Sequence, residues 1–388
     1  MLRKLFFLLS FSSLRSFTSF FAALLFLTAF SSLSSAQSQQ PPKLEGYDLT
    51  FPAMGSTITL SAYSDSETKV ETAFNAVRFE IDRLVAILSD YEPNSELNRL
   101  HRDATKPTLI SDNLFDVLVA SEDWNHRSHG AFDAAIGNLT RLWRDARKRR
   151  EMPSKIAIDE AVRNSGWEKI RLNKNDRTLT LLDPKVRLDL GGIAAGYIVD
   201  RAFDILVAHG LPHALINDGG DIRCGEAPPG REGWRIEVAS IWSPHSKNLK
   251  PSDVQLNSER RASPEVRDAA LPLRRIFLKN LAITTSGDLW QYIKIDGHRR
   301  SHILDPKTGY GVIGPSVVAV IAPTCIEADA AATAVSVLGM ERGLSLALET
   351  PRIEALFATR PSESSPIILS VSPGFPVGIF DASHRHPD

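Results

Sequence analysis

The sequence predicts an α+β fold, with mixed sheets and helices in one large domain or two tightly joined lobes. Three observations lead there. Glu67–Leu88 carries Val70, Phe74, Val77, Ile81, Leu84, Val85 and Leu88 at helical spacing, giving one apolar face for a core. Short strand-like segments recur between turn signals from Tyr47 to Val371. About 350 residues follow the N-terminal segment in a chain that is 43% hydrophobic, enough to bury such a core. No internal repeat is present.

Residues 1–36 have the order of a secretory signal. A basic start, Met1-Leu2-Arg3-Lys4, precedes an apolar stretch from Phe17 to Phe30 and the small residues Ser34-Ser35-Ala36. That stretch is short beside the about 20 residues of a membrane span. Cleavage near Ala36 is therefore expected, with an uncleaved anchor as the alternative, and the location is the periplasm or cell envelope. No Cys near Ala36 supports a lipid anchor. The segment holds three basic residues, Arg3, Lys4 and Arg15, and no acid, so its removal takes the formal net charge from −1 to −4. This gives no basic footprint for nucleic acid. Cys224 and Cys325 could pair in an oxidising compartment, and no Cys/His cluster suits zinc.

The remaining chain reads in order as follows. Residues 37–46 are a polar lead. Tyr47–Tyr63 is a strand pair around Met54-Gly55-Ser56-Thr57. The Glu67–Leu88 helix runs into Ser89–Asn98, where Pro93 and Asn94 suit a loop or cap. A second helix starts at the cap Ser111 and continues through Trp124. The basic run Arg144–Arg150 reads as a solvated helix face. Arg187–Leu190 reads as a strand that ends in Gly191-Gly192-Ile193-Ala194-Ala195-Gly196, with a helix onward to Gly210. Glycines between a strand and a helix N-terminus allow phosphate to approach free N–H groups, but a plain tight turn reads the same way. The spacing is neither the dinucleotide fingerprint nor a Walker loop. Ala214–Asn217, Trp234–Val238, Ile276–Thr284, Ser316–Ile321, Ile353–Thr359 and Ile367–Val371 read as strands, and Asp218-Gly219-Gly220-Asp221 as a turn. Residues 243–273 are polar and aperiodic, a surface insertion. Residues 381–388 are a tail.

The densest signals lie between Thr284 and Thr333. Ile326–Leu338 is Ala-rich without Pro or Gly, and Gly339 is placed to end a helix there. Asp329 and Thr333, four residues apart, share one face. A carboxylate beside a hydroxyl suits a hard cation such as Mg²⁺, although many helices carry such a pair without metal. His302 stands before Asp305-Pro306-Lys307-Thr308-Gly309, a turn signal, where a His can serve as a general base or simply as a surface residue.

Taken in order, Met54-Gly55-Ser56, Ser89-Asp90-Tyr91, Gly130-Ala131-Phe132-Asp133, Asp189–Tyr197, Asn217-Asp218-Gly219-Gly220-Asp221, Thr285-Ser286-Gly287-Asp288, His302–Pro306 and Glu327–Thr333 resemble the ApbE family of FAD:protein FMN transferases. The resemblance covers about Tyr47 to Phe380 and implies an α+β fold holding FAD between two lobes. It implies Mg²⁺ and FAD, with FMN moved to a Thr or Ser hydroxyl of an exported acceptor flavoprotein and AMP released. Contact with a membrane would come only through the acceptor or an uncleaved signal. Asp329 and Thr333 match the family's metal ligands, and Gly192 the position that offers a backbone carbonyl to the ion. Met54, Tyr91, Ala131, Phe132, Asp133, Asp189 and Ile303 match positions that line FAD, and His302 the His that assists the acceptor hydroxyl. Ala195 stands where many relatives carry Lys or another polar residue, so FAD is expected to be held less firmly there. Ser56 replaces the commoner Thr. The other readings are a Mg²⁺-dependent FAD pyrophosphatase and a non-catalytic FAD-binding protein.

Overall fold

The computed structural model describes residues 43–103, 105–238, 254–256, 274–287, 292–295, 298–360, 365 and 367–376. The signal-like segment, most of the polar lead, most of the insertion, Asp288 and the tail lie outside the described residues.

The elements are β1 (Glu45–Ala53), β2 (Ser56–Ser64), α1 (Glu67–Leu88), α2 (Glu96–Asp103), β3 (Thr108–Leu109), α3 (Asp112–Arg127), α4 (Gly137–Arg149), α5 (Lys155–Arg163), β4 (Ile170–Asn173) and β5 (Thr178–Leu181). Then come α6 (Ala194–Ala208), β6 (Ala214–Asp218), β7 (Asp221–Cys224), β8 (Trp234–Val238), β9 (Val254–Leu256), β10 (Arg274–Leu278), β11 (Leu281–Gly287), β12 (Tyr292–Ile295) and β13 (His298–Ser301). The last are β14 (Ser316–Ala322), α7 (Cys325–Glu349), β15 (Glu354–Thr359) and β16 (Ile367–Val371). A nine-stranded sheet has the order β1-β2-β6-β7-β11-β14-β15-β16-β9. Its neighbours are antiparallel except β16 and β9.

Strand β14 lies between two cores. Its sequence, Ser-Val-Val-Ala-Val-Ile-Ala, is buried throughout. Val318, Val320 and Ala322 join the large core under the helices, while Val317, Ala319 and Ile321 join a second core with Trp234, Ile236 and Ile276 of the β8–β10 pair. A strand covered on both faces reads as a continuous apolar run because neither face meets water. The large core also receives Val70, Phe74, Val77 and Ile81 from α1, and the Ala-rich face of α7.

Local chemistry sets most boundaries. Ser66 and Ser111 accept the N–H groups of Lys69 and Leu114 and so start α1 and α3. Gly339 has φ +75° and interrupts α7 where the sequence places a helix end, after which a second helical stretch continues. Other expectations need correction. Arg187–Leu190 is not a ladder strand, because its backbone bonds go to loops: the Asp189 N–H to the Ala134 carbonyl at 2.8 Å, and the Gly137 N–H to the Arg187 carbonyl at 2.9 Å. Ile276–Thr284 is two strands, separated at Lys279-Asn280, where Asn280 takes φ +52°, and they belong to different sheets. Val254–Leu256 of the insertion pairs with Ile367–Leu369. Cys224 and Cys325 are buried and unbridged.

Candidate active site

Two glycines bring the start of α6 against the metal-type pair on α7. A Cβ built on Gly196 would lie 2.4 Å from the Cys325 carbonyl oxygen and 2.9 Å from Asp329 Cβ, so only glycine permits this approach. The Gly196 N–H donates to Asp329 Oδ2 at 3.1 Å. One of the otherwise unpaired N–H groups at the helix N-terminus thus fixes a carboxylate. On Gly192 a Cβ would lie 2.9 Å from Thr333 Oγ1 and 3.5 Å from the Phe132 ring. Asp329, Thr333, Gly192 and Phe132 therefore form one group. Asp200 braces it from α6: its carboxylate accepts the Cys325 and Ile326 N–H groups, both at 2.9 Å, and caps the start of α7.

Asp329 is only 7% exposed. Burial, and then the negative charge of Asp221, push its carboxyl well above the usual range, while the Gly196 N–H opposes this. Asp221, the first residue of β7, is pushed up to about 7 by burial, against a Thr284 hydrogen bond. Asp218 is raised to about 6 by burial, against a hydrogen bond from Ser56. Its Oδ1 is buried without a hydrogen-bond partner. Ser56 follows Met54 and Gly55, both at positive φ in the two-residue turn between β1 and β2. The Met54 turn is in this way tied to the acidic end of the site.

A second group sits on loops around α4. Arg144 bonds Asp90 and lies 3.6 Å from Asp189 Oδ2, and its guanidinium carbon is 4.1 Å from the Tyr91 ring centroid. Tyr91 is 73% exposed. Asp189 Oδ1 accepts the Gly191 N–H at 2.8 Å, which links this group to the glycine turn and takes up one of the N–H groups expected there for phosphate. Trp143, the neighbour of Arg144, donates from Nε1 to the Gly309 carbonyl at 2.8 Å and packs on Tyr310. That bond docks the turn after His302 onto α4. His302 is exposed just past β13, whereas Ile303 is buried. The turn itself closes as its Asp-Pro signal predicts, with the Asp305 carboxylate accepting from the Lys307 N–H and the Thr308 hydroxyl.

Not every candidate side chain faces outward from its own segment. Asp133 accepts the N–H groups of Ala135 at 2.7 Å and Trp167 at 3.1 Å, and burial raises it to about 6, so its carboxylate organises the loop that presents Ala131 and Phe132. Ala195 is partly buried in the first turn of α6 and offers only a methyl group. Sequence reasoning missed Arg144, which lay in a run taken for a solvated face. It also missed His101, whose Nε2 accepts the Leu188 N–H at 2.9 Å just before Asp189.

The donor set fits Mg²⁺. Among the described residues no three His, Cys, Asp or Glu side chains come together as a metal cluster. The group instead offers one carboxylate, a hydroxyl and adjacent backbone, the oxygen chemistry of an ion that keeps water and substrate phosphates as its other ligands. The carboxylates of Asp221 and Asp218 add negative charge around Asp329.

A core helix thus sets a carboxylate and a hydroxyl against a glycine turn in an α+β frame. The ApbE family model matches residues 54–357, and the chain belongs to that family. It is 30% identical over 318 residues to an FAD:protein FMN transferase of Vibrio cholerae, covering 78% of this chain and 84% of that protein. It is 28% identical over 304 residues to the enzyme of that name from Treponema pallidum, covering 74% and 77%. The apo Pseudomonas stutzeri flavinyl transferase ApbE superposes with a TM-score of 0.69 at 27% identity, over 85% of this chain and 96% of that one. The Vibrio cholerae flavin transferase ApbE shares the fold, with a TM-score of 0.69 at 24% identity over 85% and 98%.

Proposed function

We propose that this chain is an FAD:protein FMN transferase, Mg²⁺-dependent, which attaches FMN to a Thr or Ser hydroxyl of an exported acceptor flavoprotein and releases AMP. The observation that carries the reading is the convergence of Asp329, Thr333 and Gly192 in a member of the ApbE family.

The residues divide the work. Asp329, Thr333 and the Gly192 backbone would hold Mg²⁺, which when bound neutralises charge on the pyrophosphate. Tyr91, with Met54, Ala131, Phe132, Asp189, Ala195 and Ile303, lines the FAD. Asp133 supports that lining through its own loop. His302 takes the proton from the acceptor hydroxyl as its oxygen forms a bond to the FMN phosphorus, and the bond from that phosphorus to the AMP oxygen breaks. The exposure of His302 suits this role, since a base serving a protein acceptor must be reachable from outside. Residues 1–36 direct export, with cleavage near Ala36. N-terminal sequencing from the native envelope tests that step, and a chain starting at Met1 would refute it.

Chromatography of products after incubation with FAD, Mg²⁺ and a candidate acceptor tests the reaction. Protein-bound FMN with AMP is expected. Free FMN with AMP would replace transfer by pyrophosphate hydrolysis, and unchanged FAD would leave only a flavin-binding protein.

A further inference from the structure

Arg144 lies on α4 in a run of basic residues, yet it behaves unlike a surface arginine. Its side chain is 25% exposed and stands between Asp90 and Asp189, whose side chains are 13% and 9% exposed. Asp90 is raised by burial first and then by the carboxylate of Asp189, and Arg144 opposes both. Removing the guanidinium would leave two half-desolvated like charges facing across the gap between two loops, an arrangement that pushes the loops apart.

The same guanidinium covers one face of Tyr91, at 4.1 Å from the ring centroid. The loop that carries this ring is stapled from its other side. Asn98 donates to the carbonyls of Asp90 and Glu92, both at 2.9 Å, and Ser89 Oγ accepts the Tyr91 N–H at 3.1 Å. The helix that carries Arg144 is pinned to the Asp189 segment through Gly137 and Arg187, and to the His302 turn through Trp143 and Gly309. An exposed aromatic ring normally samples several rotamers. Here the backbone beneath it and the cation behind it are both fixed, and the remaining face is open.

We propose that Arg144 is a positioning residue for the flavin substrate: it holds the Tyr91 ring as a platform, one face against its guanidinium and the other free to stack a planar ring, in register with the Asp189–Gly191 turn. This rests on the reading of FAD as substrate. Arginine suits the task because its planar group can lie flat against a ring and bridge two carboxylates at once, whereas the ammonium of lysine is a point charge that meets a ring without stacking on it.

The test is an FAD titration followed by flavin fluorescence, with a chelator present to prevent turnover, on wild type, R144M, R144K, Y91A and the R144M/Y91A double variant. Steady-state kinetics and amide exchange of residues 89–94 in the ligand-free proteins complete it. R144M is expected to weaken FAD binding about tenfold, with less quenching of the bound flavin. The amides of Ser89 to Glu92 and of Asn94 should exchange faster, and kcat at saturating FAD should stay within about twofold because the chemistry is elsewhere. R144K, which keeps the charge and protects the fold, should restore slow exchange but only part of the quenching. In the Y91A background the R144M change should cost less than about twofold, since Arg144 then has no ring to hold. An R144M variant that binds and quenches FAD like wild type overturns the proposal, as does a full tenfold loss without Tyr91. Wild-type protein that fails to bind FAD overturns the substrate reading, and this proposal with it.

Discussion

Asp329, Thr333 and Gly196 lie on helices packed into the main core, and Leu188, Leu190 and Ile193 anchor the turn of Asp189 and Gly192 there too, whereas Tyr91 and His302 are exposed on loops held by hydrogen bonds, a cation–ring contact and one tryptophan. The difference separates two design problems. On the core side, position is set by close contact: added Cβ atoms at Gly192 and Gly196 would meet neighbours within 3 Å, so little can shift. On the loop side, position is set by polar partners that can be removed one at a time. The core side suits a cation that needs fixed ligands, and the loop side suits substrates that must enter and leave.

The largest effect is expected from Asp329→Ala. It should remove Mg²⁺-dependent transfer, a loss of at least about 10²–10³-fold. Thermal stability should change little, because relief of a disfavoured buried charge offsets the lost acceptor of the Gly196 N–H. Activity that is unchanged at limiting Mg²⁺ would take Asp329 out of the ligand set. On the loop side, His302→Ala should slow transfer about 10²–10⁴-fold while FAD affinity holds. A parallel loss of affinity with no separate rate effect would make His302 a binding residue.

Gly192→Ala is the finer probe of the core side. The new methyl, 2.9 Å from Thr333 Oγ1, should displace the hydroxyl. The Mg²⁺ concentration for half-maximal rate should then rise about tenfold. An unaltered requirement would mean that Thr333 does not contact the ion.

The smallest effect concerns His101, which supports the Asp189 segment. Burial, and then the charges of Arg187 and Arg141, lower its titration from 6.5 to about 3. An unfolded chain takes up a proton near 6.5 that the folded protein refuses until about 3. The stability this contributes is therefore complete above pH 6.5 and is lost as pH falls toward 3. His101→Gln should flatten the fall in thermal midpoint between about pH 6 and 4 and change little at pH 7. Parallel midpoint curves for the two proteins would exclude the effect.

Much of this was legible in the sequence, for identifiable reasons. The α1 helix follows from its apolar spacing, and β14 from an apolar run covered on both faces. The Asp329/Thr333 pair was visible because helical spacing alone places both on one face. What it lies against was not visible, since Gly192 and Gly196 approach from an element more than 130 positions earlier. Arg144 was misread because its own helix is basic, while its partners Asp90 and Asp189 come from distant loops. The α5 helix and the β3-β5-β4 sheet were not foreseen. Arg187–Leu190 has strand-like residues, but its partners are single groups on two other segments, at Ala134–Gly137 and at His101.

On the proposed reading, the core-held and loop-held sides act together to move FMN onto a protein hydroxyl. Intact-mass spectrometry of a candidate acceptor, incubated with the mature protein, ample FAD and Mg²⁺, tests it most directly. The acceptor should gain one FMN less one water, and that gain should vanish when the target Thr or Ser is replaced by Ala. An acceptor of unchanged mass in the presence of accumulating AMP and free FMN would contradict the claim.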